Sequence, residues 1–142
     1  EVLLRLNDLW LILARNVRLG GVSHTGAGVA SRMRTFLDYI ARHYGESVTL
    51  TQLAASATVS VSECLRCFHS SLDTTPYRYL MRFRLYQARN LLEDTDLPIA
   101  DIARRVGYRD PSNFSRLFAL HVGLSPRTYR RNRRKSEAEQ SW

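Results

Sequence analysis

Cys64 and Cys67 stand in a CxxC arrangement, with His69 two places further on, in the stretch SECLRCFHS at 62–70. Two thiols three residues apart beside an imidazole could ligate zinc or cycle between dithiol and disulfide. Either chemistry needs the three side chains to converge, and a helix keeps them apart. At one residue per 100°, Cys64 falls on the arc of Val61, Phe68 and Leu72, Cys67 borders it, and His69 points about 140° away from Cys64. No second CxxC or HxxxH supplies the remaining ligands of a tetrahedral site. The residues therefore read as buried free thiols, with no metal and no cofactor expected. A CxxC redox or zinc protein is kept as a remote alternative.

The helix that must carry these thiols is one of several. At 142 residues, with 44% hydrophobic and 24% charged content, the chain has the composition of a folded globular protein. Apolar residues recur at three and four, prolines fall at helix starts, and no alternating β-branched run persists, so the expected class is all-α with about seven helices. Met33, Phe36, Leu37, Ile40 and Tyr44 make one face of a helix that Gly45 ends. Thr49 opens a short helix with Leu50, Leu53 and Ala54 inward, and a third helix spans about 61–72. Pro76 opens a long helix carrying Leu80, Phe83, Leu85, Ala88, Leu91 and Leu92. Pro98 starts a short one closed by Gly107, Asp110 and Pro111 cap another closed by Gly123, and Pro126 begins a basic one. Residues 2–18 read as a further amphipathic helix, too short and too charged for a bilayer. Four of the seven glycines fall within 20–31, which reads as a flexible linker.

An internal repeat ties the short helices together. At an offset of 49, Leu50, Leu53, Ala54 and Val59 match Ile99, Ile102, Ala103 and Tyr108. At an offset of 50, Arg66, Phe68, Pro76 and Tyr79 match Arg116, Phe118, Pro126 and Tyr129. Each copy is a short helix with an inward alanine, a tight turn, and an amphipathic helix ending before a proline, the pattern of a helix-turn-helix. The copies span about 49–73 and 98–123. Cys64 and Cys67 take the places of Phe114 and Leu117, slots that the second copy fills with large apolar side chains. The chain also carries 21 basic against 13 acidic residues, a net charge of +8, and all the basic residues but Lys135 are arginine. A polyanionic partner fits such an excess.

Over roughly 33–131 the sequence resembles the DNA-binding region of AraC/XylS-type bacterial transcription regulators. The resemblance rests chiefly on IADIARRVGYRDPSNFSRLFALHVGLSPRTYR from Ile99, and on LRCF, TTPYRYL and RLYQARNLL in the first half. It departs where Asp73 replaces a helix-ending glycine and where His69 and Ala119 stand at positions often lysine. It implies two helix-turn-helix subdomains at 32–135 joined by the long helix of about 76–93, which at ~1.5 Å per residue is ~27 Å long and suits recognition helices in successive major grooves of one duplex. It also implies that 1–19 is the end of an amino-terminal sensing and dimerising domain, so that the chain, which starts at Glu1, is a fragment of a longer protein. Residues 136–142 are then a disordered tail.

Sequence-specific binding of a double-stranded operator is the expected function, not enzymatic catalysis. The outward arcs of the two recognition helices nominate Ser62, Glu63 and Arg66, and Ser112, Asn113 and Arg116, as base contacts. Arg66 and Arg116, at equivalent places, can each reach guanine O6 and N7 with two bonds; either could instead pair across the turn or touch phosphate alone. Ser60, His69, Ser70, Arg109, Arg127, Arg130 and Arg131 are expected on phosphates. The run RTYRRNRRK at 127–135, with six basic residues in nine, would supply affinity without sequence choice. RNA polymerase is a further expected partner, a homodimer through 2–18 is possible, no membrane is involved, and the bacterial cytoplasm, at the nucleoid, is the expected location. A basic RNA- or protein-binding helical module is the alternative.

Overall fold

Residues 24–141 are described by the computed structural model, and they form seven α-helices with no strand among them. In chain order these are α1 (His24–His43), α2 (Leu50–Ser56), α3 (Val61–Leu72), α4 (Pro76–Asp94), α5 (Ile99–Arg105), α6 (Pro111–Val122) and α7 (Pro126–Gln140). The expected helix at 2–18 lies outside the described residues. The helices divide into two units: α1 to α3 with α4 as far as Met81, and residues 44–47 with everything from Arg82 onward.

In the first unit Met33, Phe36, Leu37 and Ile40 of α1 close over Leu53 and Ala54 of α2, Cys64, Cys67 and Phe68 of α3, and Leu80 of α4. Phe36 and Phe68 stack with ring centroids 5.7 Å apart. Local chemistry fixes the helix ends. Thr49 and Gln52 exchange side-chain and backbone hydrogen bonds in a capping box, each 3.1 Å, at the start of α2. The Ser60 hydroxyl accepts from the Glu63 N–H at 3.1 Å at the start of α3. Asp73 ends α3 in the left-handed conformation, φ 49°, which aspartate tolerates better than most residues.

The second unit buries Leu85, Ala88 and Leu92 of α4, Ile102, Ala103 and Val106 around α5, Phe114 and Phe118 of α6, and Tyr129 of α7. Its aromatic rings form a chain, Tyr108 to Phe114 to Phe118 to Tyr129, with centroids 5.5, 5.8 and 5.6 Å apart. Asp110 accepts from the Ser112 N–H, 3.0 Å, ahead of Pro111, and Ser125 accepts from the Thr128 N–H, 3.2 Å, ahead of Pro126. Arg84 holds the 44–47 segment by donating to the Tyr44 and Glu46 carbonyls at 2.8 and 2.9 Å.

Four expectations change. Helix α1 begins at His24, so 24–31, expected as linker, is helical; a glycine costs a helix about 1 kcal/mol without forbidding it, and the buried α1 face anchors the whole rod. Tyr44 lies past the end of α1 and packs edge-on against Phe83 at 5.2 Å in the second unit, not on the α1 face. Leu50 is 39% exposed, because in the first turn of α2 it borders a shallow apolar pocket with Ile40, Val48 and Tyr77 instead of entering the core. The expected tail is helical as far as Gln140, since Glu, Ala and Gln are strong helix formers.

The two turns reach the same backbone conformation with different residues. Gly107 has φ 103° and Thr58, at the matching place, has φ 54°. A β-branched residue is strained there. Thr58→Gly should stabilise the first unit by about 1 kcal/mol, read as a raised urea midpoint at unchanged slope. Gly107→Ala should destabilise the second by about 2 kcal/mol or more, because its Cβ would meet the Tyr44 carbonyl at 2.6 Å and the Arg84 guanidinium at 2.8 Å. Equal midpoints for wild type and both variants would contradict the strain argument.

Candidate nucleic-acid interface

Helix α3 is the second helix of the first helix-turn-helix. Ser60, Ser62, Arg66, His69 and Ser70 are exposed on it or at its cap. Ser60 caps the helix, and the Ser70 hydroxyl donates to the Cys67 carbonyl at 3.3 Å. The Arg66 side chain is 74% exposed and donates through Nη1 to Glu63 Oε2 at 3.0 Å. Glu63 differs from its expected solvent-facing role, because its side chain is only 26% exposed and its other oxygen accepts from Arg32 Nη1 of α1 at 2.9 Å. Arg32 was missed in the sequence; its partner lies 31 residues away, and no local spacing signals such a pair.

Helix α6 is the matching helix of the second copy. Ser112 and Arg116 are exposed and Asn113 is half-buried. Arg116 Nη2 donates to Asn113 Oδ1 at 2.8 Å. Arg109 is exposed in the turn before α6, on an open cleft of about 400 Å³ lined also by Gly45, Glu46, Ser47, Arg104 and Tyr108.

The basic residues of α7 fall into two sets. Arg130 donates to the Leu92 and Thr95 carbonyls, both at 3.2 Å, and so caps the carboxyl end of α4. Arg130, expected on phosphate, thus uses two of its five N–H donors in this structural role, because unsatisfied helix-end carbonyls draw a nearby guanidinium inward. Burial and the neighbouring Arg134 charge lower its pKa, with Asp96 opposing. Arg133 pairs with Glu93 at 2.9 Å, Arg134 pairs with Asp96, and Tyr129, between Arg89 and Arg133, donates to Glu93. Arg127, Arg131 and Lys135 are exposed and form no ion pair with a described residue.

The CxxC pair is part of the core. Cys64 and Cys67 are free thiols, 0% and 1% exposed. Cys67 is more deeply buried than one helix wheel indicates, since α1 covers its flank. Burial, with the neighbouring Cys67, pushes the Cys64 thiol up to about 11. Burial and the Glu63 charge also raise Cys67, against Arg32. His69 is exposed and lies 3.6 Å from Asp73. Among the described residues no three His, Cys, Asp or Glu side chains gather as a metal cluster would require, and no helix is long and apolar enough to cross a membrane.

Two copies of a short helix, a closed turn and an exposed second helix, each with an outward arginine, define a helix-turn-helix protein. A family model described as a helix-turn-helix domain matches residues 53–132. The chain belongs to the AraC-type family of helix-turn-helix transcription regulators. It is 36% identical over 108 residues to the HTH-type transcriptional regulator YdiP of Escherichia coli strain K12, covering 76% of this chain and 36% of that one. It is 32% identical over 126 residues to the HTH-type transcriptional activator RhaS of Enterobacter sp. strain 638, covering 89% and 44%. The DNA-binding domain of AdpA, a global transcriptional factor solved in complex with a target DNA, superposes with a TM-score of 0.68 at 31% identity, over 71% of this chain and 91% of that one. The chain thus spans between about a third and a half of the length of these curated relatives.

Both thiols should resist a disulfide exchange reagent at pH 8 and react only as fast as the first unit unfolds, which labelling rates across urea concentration would measure. Because Cys64 is raised from 9.0 to about 11 on folding, the unfolded chain releases its proton first as the pH rises. The Cys64 contribution to stability is full below about pH 9 and is lost towards pH 11. Fast labelling of the folded protein would contradict the buried assignment.

Proposed function

We propose that the chain reads double-stranded DNA sequence-specifically for a transcription regulator, with α3 and α6 in successive major grooves. The observation that carries this reading is the repetition of one exposed arginine at one place in two helix-turn-helix copies, Arg66 and Arg116. Each guanidinium matches the two acceptors of guanine. Ser62 and Ser112 lie on the same surfaces, and Asn113 has the groups to read adenine. Ser60, His69, Ser70, Arg109, Arg127 and Arg131 contact phosphate and fix register without choosing sequence. The AdpA domain held on its target DNA supports the same use of this fold. The RNA-reading alternative calls for exposed aromatic platforms, whereas Phe36, Phe68, Phe114 and Phe118 are core residues. In the whole protein the same reading adds RNA polymerase as a partner, pairing of two copies through 2–18, and work in the cytoplasm at the nucleoid.

Selection of ~20 base-pair duplexes from a random pool tests the reading. A consensus with two half-sites about one helical turn apart should emerge, and Arg66→Ala and Arg116→Ala should each relax a different half-site at a cost of ~1 to 3 kcal/mol. Binding that follows salt alone, with no consensus, would remove the reading. Salt titration separates the two basic sets of α7: Arg131→Ala should lower the slope of log K against log salt by about 1, while Arg133→Ala, which breaks the pair with Glu93, should lower the melting temperature and leave the slope nearly unchanged.

A further inference from the structure

In both recognition helices the arginine is held by the residue three places before it. Arg66 is bonded to Glu63 and Arg116 to Asn113, and these pairs occupy matching places in the repeat. They differ in chemistry. Asn113 is a neutral acceptor, and Arg116 is the partner described for its oxygen. Glu63 is a charged acceptor with both oxygens engaged, Oε2 by Arg66 at 3.0 Å and Oε1 by Arg32 at 2.9 Å, with the Cys67 thiol 3.8 Å from Oε1. A carboxylate bonded at both oxygens swings less freely, so the Nη1 it holds takes its direction from α1 through α3. A guanidinium has five N–H donors, and one bond to its support leaves the others for a base edge.

We infer that Glu63 and Asn113 are specificity-determining positioning residues, which aim Arg66 and Arg116 at their bases before contact, and that Arg32 sets the aim of Arg66 from outside the recognition helix. The inference rests on the reading of α3 and α6 as DNA readers. An exposed arginine without such a support must lose its rotamer freedom on binding, so the support favours the one base that the aimed fork fits. Glu63 also places a negative charge where phosphates approach. It therefore weakens contact with arbitrary DNA while sharpening choice at its own half-site.

The test measures affinity for the selected duplex and for a scrambled one, in wild type, Glu63→Ala, Glu63→Gln, Arg32→Gln, Arg66→Ala and the Glu63→Ala, Arg66→Ala double variant. Glu63→Ala should bind scrambled DNA about twofold or more tightly yet lose roughly tenfold in the ratio of selected to scrambled affinity. A residue that only supports the fold would not move the two readouts in opposite directions. Glu63→Gln, which keeps an acceptor for Arg66, should recover most of the ratio, and Arg32→Gln should lose part of it. In the double variant Arg66→Ala should cost little further discrimination. If Glu63→Ala lowers the melting temperature, Glu63→Gln and Arg32→Gln decide the matter in its place. An unchanged ratio in the Glu63 and Arg32 variants, with Arg66→Ala still relaxing its half-site, would overturn the positioning role and leave the DNA-reading function standing. A ratio that no variant alters, Arg66→Ala included, would overturn both.

Discussion

Everything that presents α3 and α6 depends on one backbone contact made twice. The Val59 N–H donates to the Ala54 carbonyl at 3.1 Å, and the Tyr108 N–H donates to the Ala103 carbonyl at 2.8 Å. Each bond folds the chain back over the last turn of the short helix, and the alanine that accepts it is small enough for the two helices to pack closely. Ala54 and Ala103 are 2% and 0% exposed, so a larger residue at either place would have nowhere to go. With the turn closed, the next helix leaves at a fixed angle with its apolar arc inward and its arginine outward. The left-handed residue that completes the turn, Thr58 or Gly107, follows from the same geometry.

This constraint explains why the repeat was legible. Inward alanines, capping residues and apolar arcs are local signals, and each is set by a helix period or by a bond spanning no more than a few residues. Thr49 and Asp110 were readable as caps because their partners lie two or three residues on, whereas Ser60, expected on phosphate, and Ser125 cap the next helices in the same way. The assignment of Cys64 to a core place needed only the comparison with Phe114. Less legible were features set by distant parts of the chain. Tyr44 leaves the α1 face because Arg84, 40 residues away, holds its carbonyl. Residues 24–31 became helical because the face beginning at Met33 anchors the rod. Glu63, a surface residue on the wheel, is drawn towards α1 by Arg32.

The arginines show the same division. A count of charges along 127–135 treats six cations as equivalent. Yet the carboxyl end of α4 presents unsatisfied carbonyls at Leu92 and Thr95 and carboxylates at Glu93 and Asp96, and the guanidiniums of Arg130, Arg133 and Arg134 satisfy them. Arginine suits this work because its planar fork can serve several acceptors at once and stack on a ring such as Tyr129. Arg127, Arg131 and Lys135 of α7 are exposed and pair with no described carboxylate. Net charge therefore indicates the class of partner, and the pairing pattern determines how many charges reach it.

Acidic residues in a protein with an excess of 8 positive charges then acquire a reason of their own. Glu93 and Asp96 pair with arginines of α7 at the end of α4, and Asp101 pairs with Arg104 one turn on in α5, whereas Glu63 pairs with an arginine on the recognition helix. Exposed pairs of this kind contribute little stability, about 0 to 1 kcal/mol each, so stability is a poor account of why a carboxylate stands on the surface of α3. What the carboxylate does is bias direction: it favours one orientation of an arginine that would otherwise sample many rotamers, and it opposes indiscriminate approach of phosphate. The neutral Asn113 supplies the first of these effects to Arg116 without the second. The two copies, alike in backbone and core, thus carry recognition surfaces that differ in the charge of the residue supporting the arginine, and a duplex read by both meets two unequal half-sites.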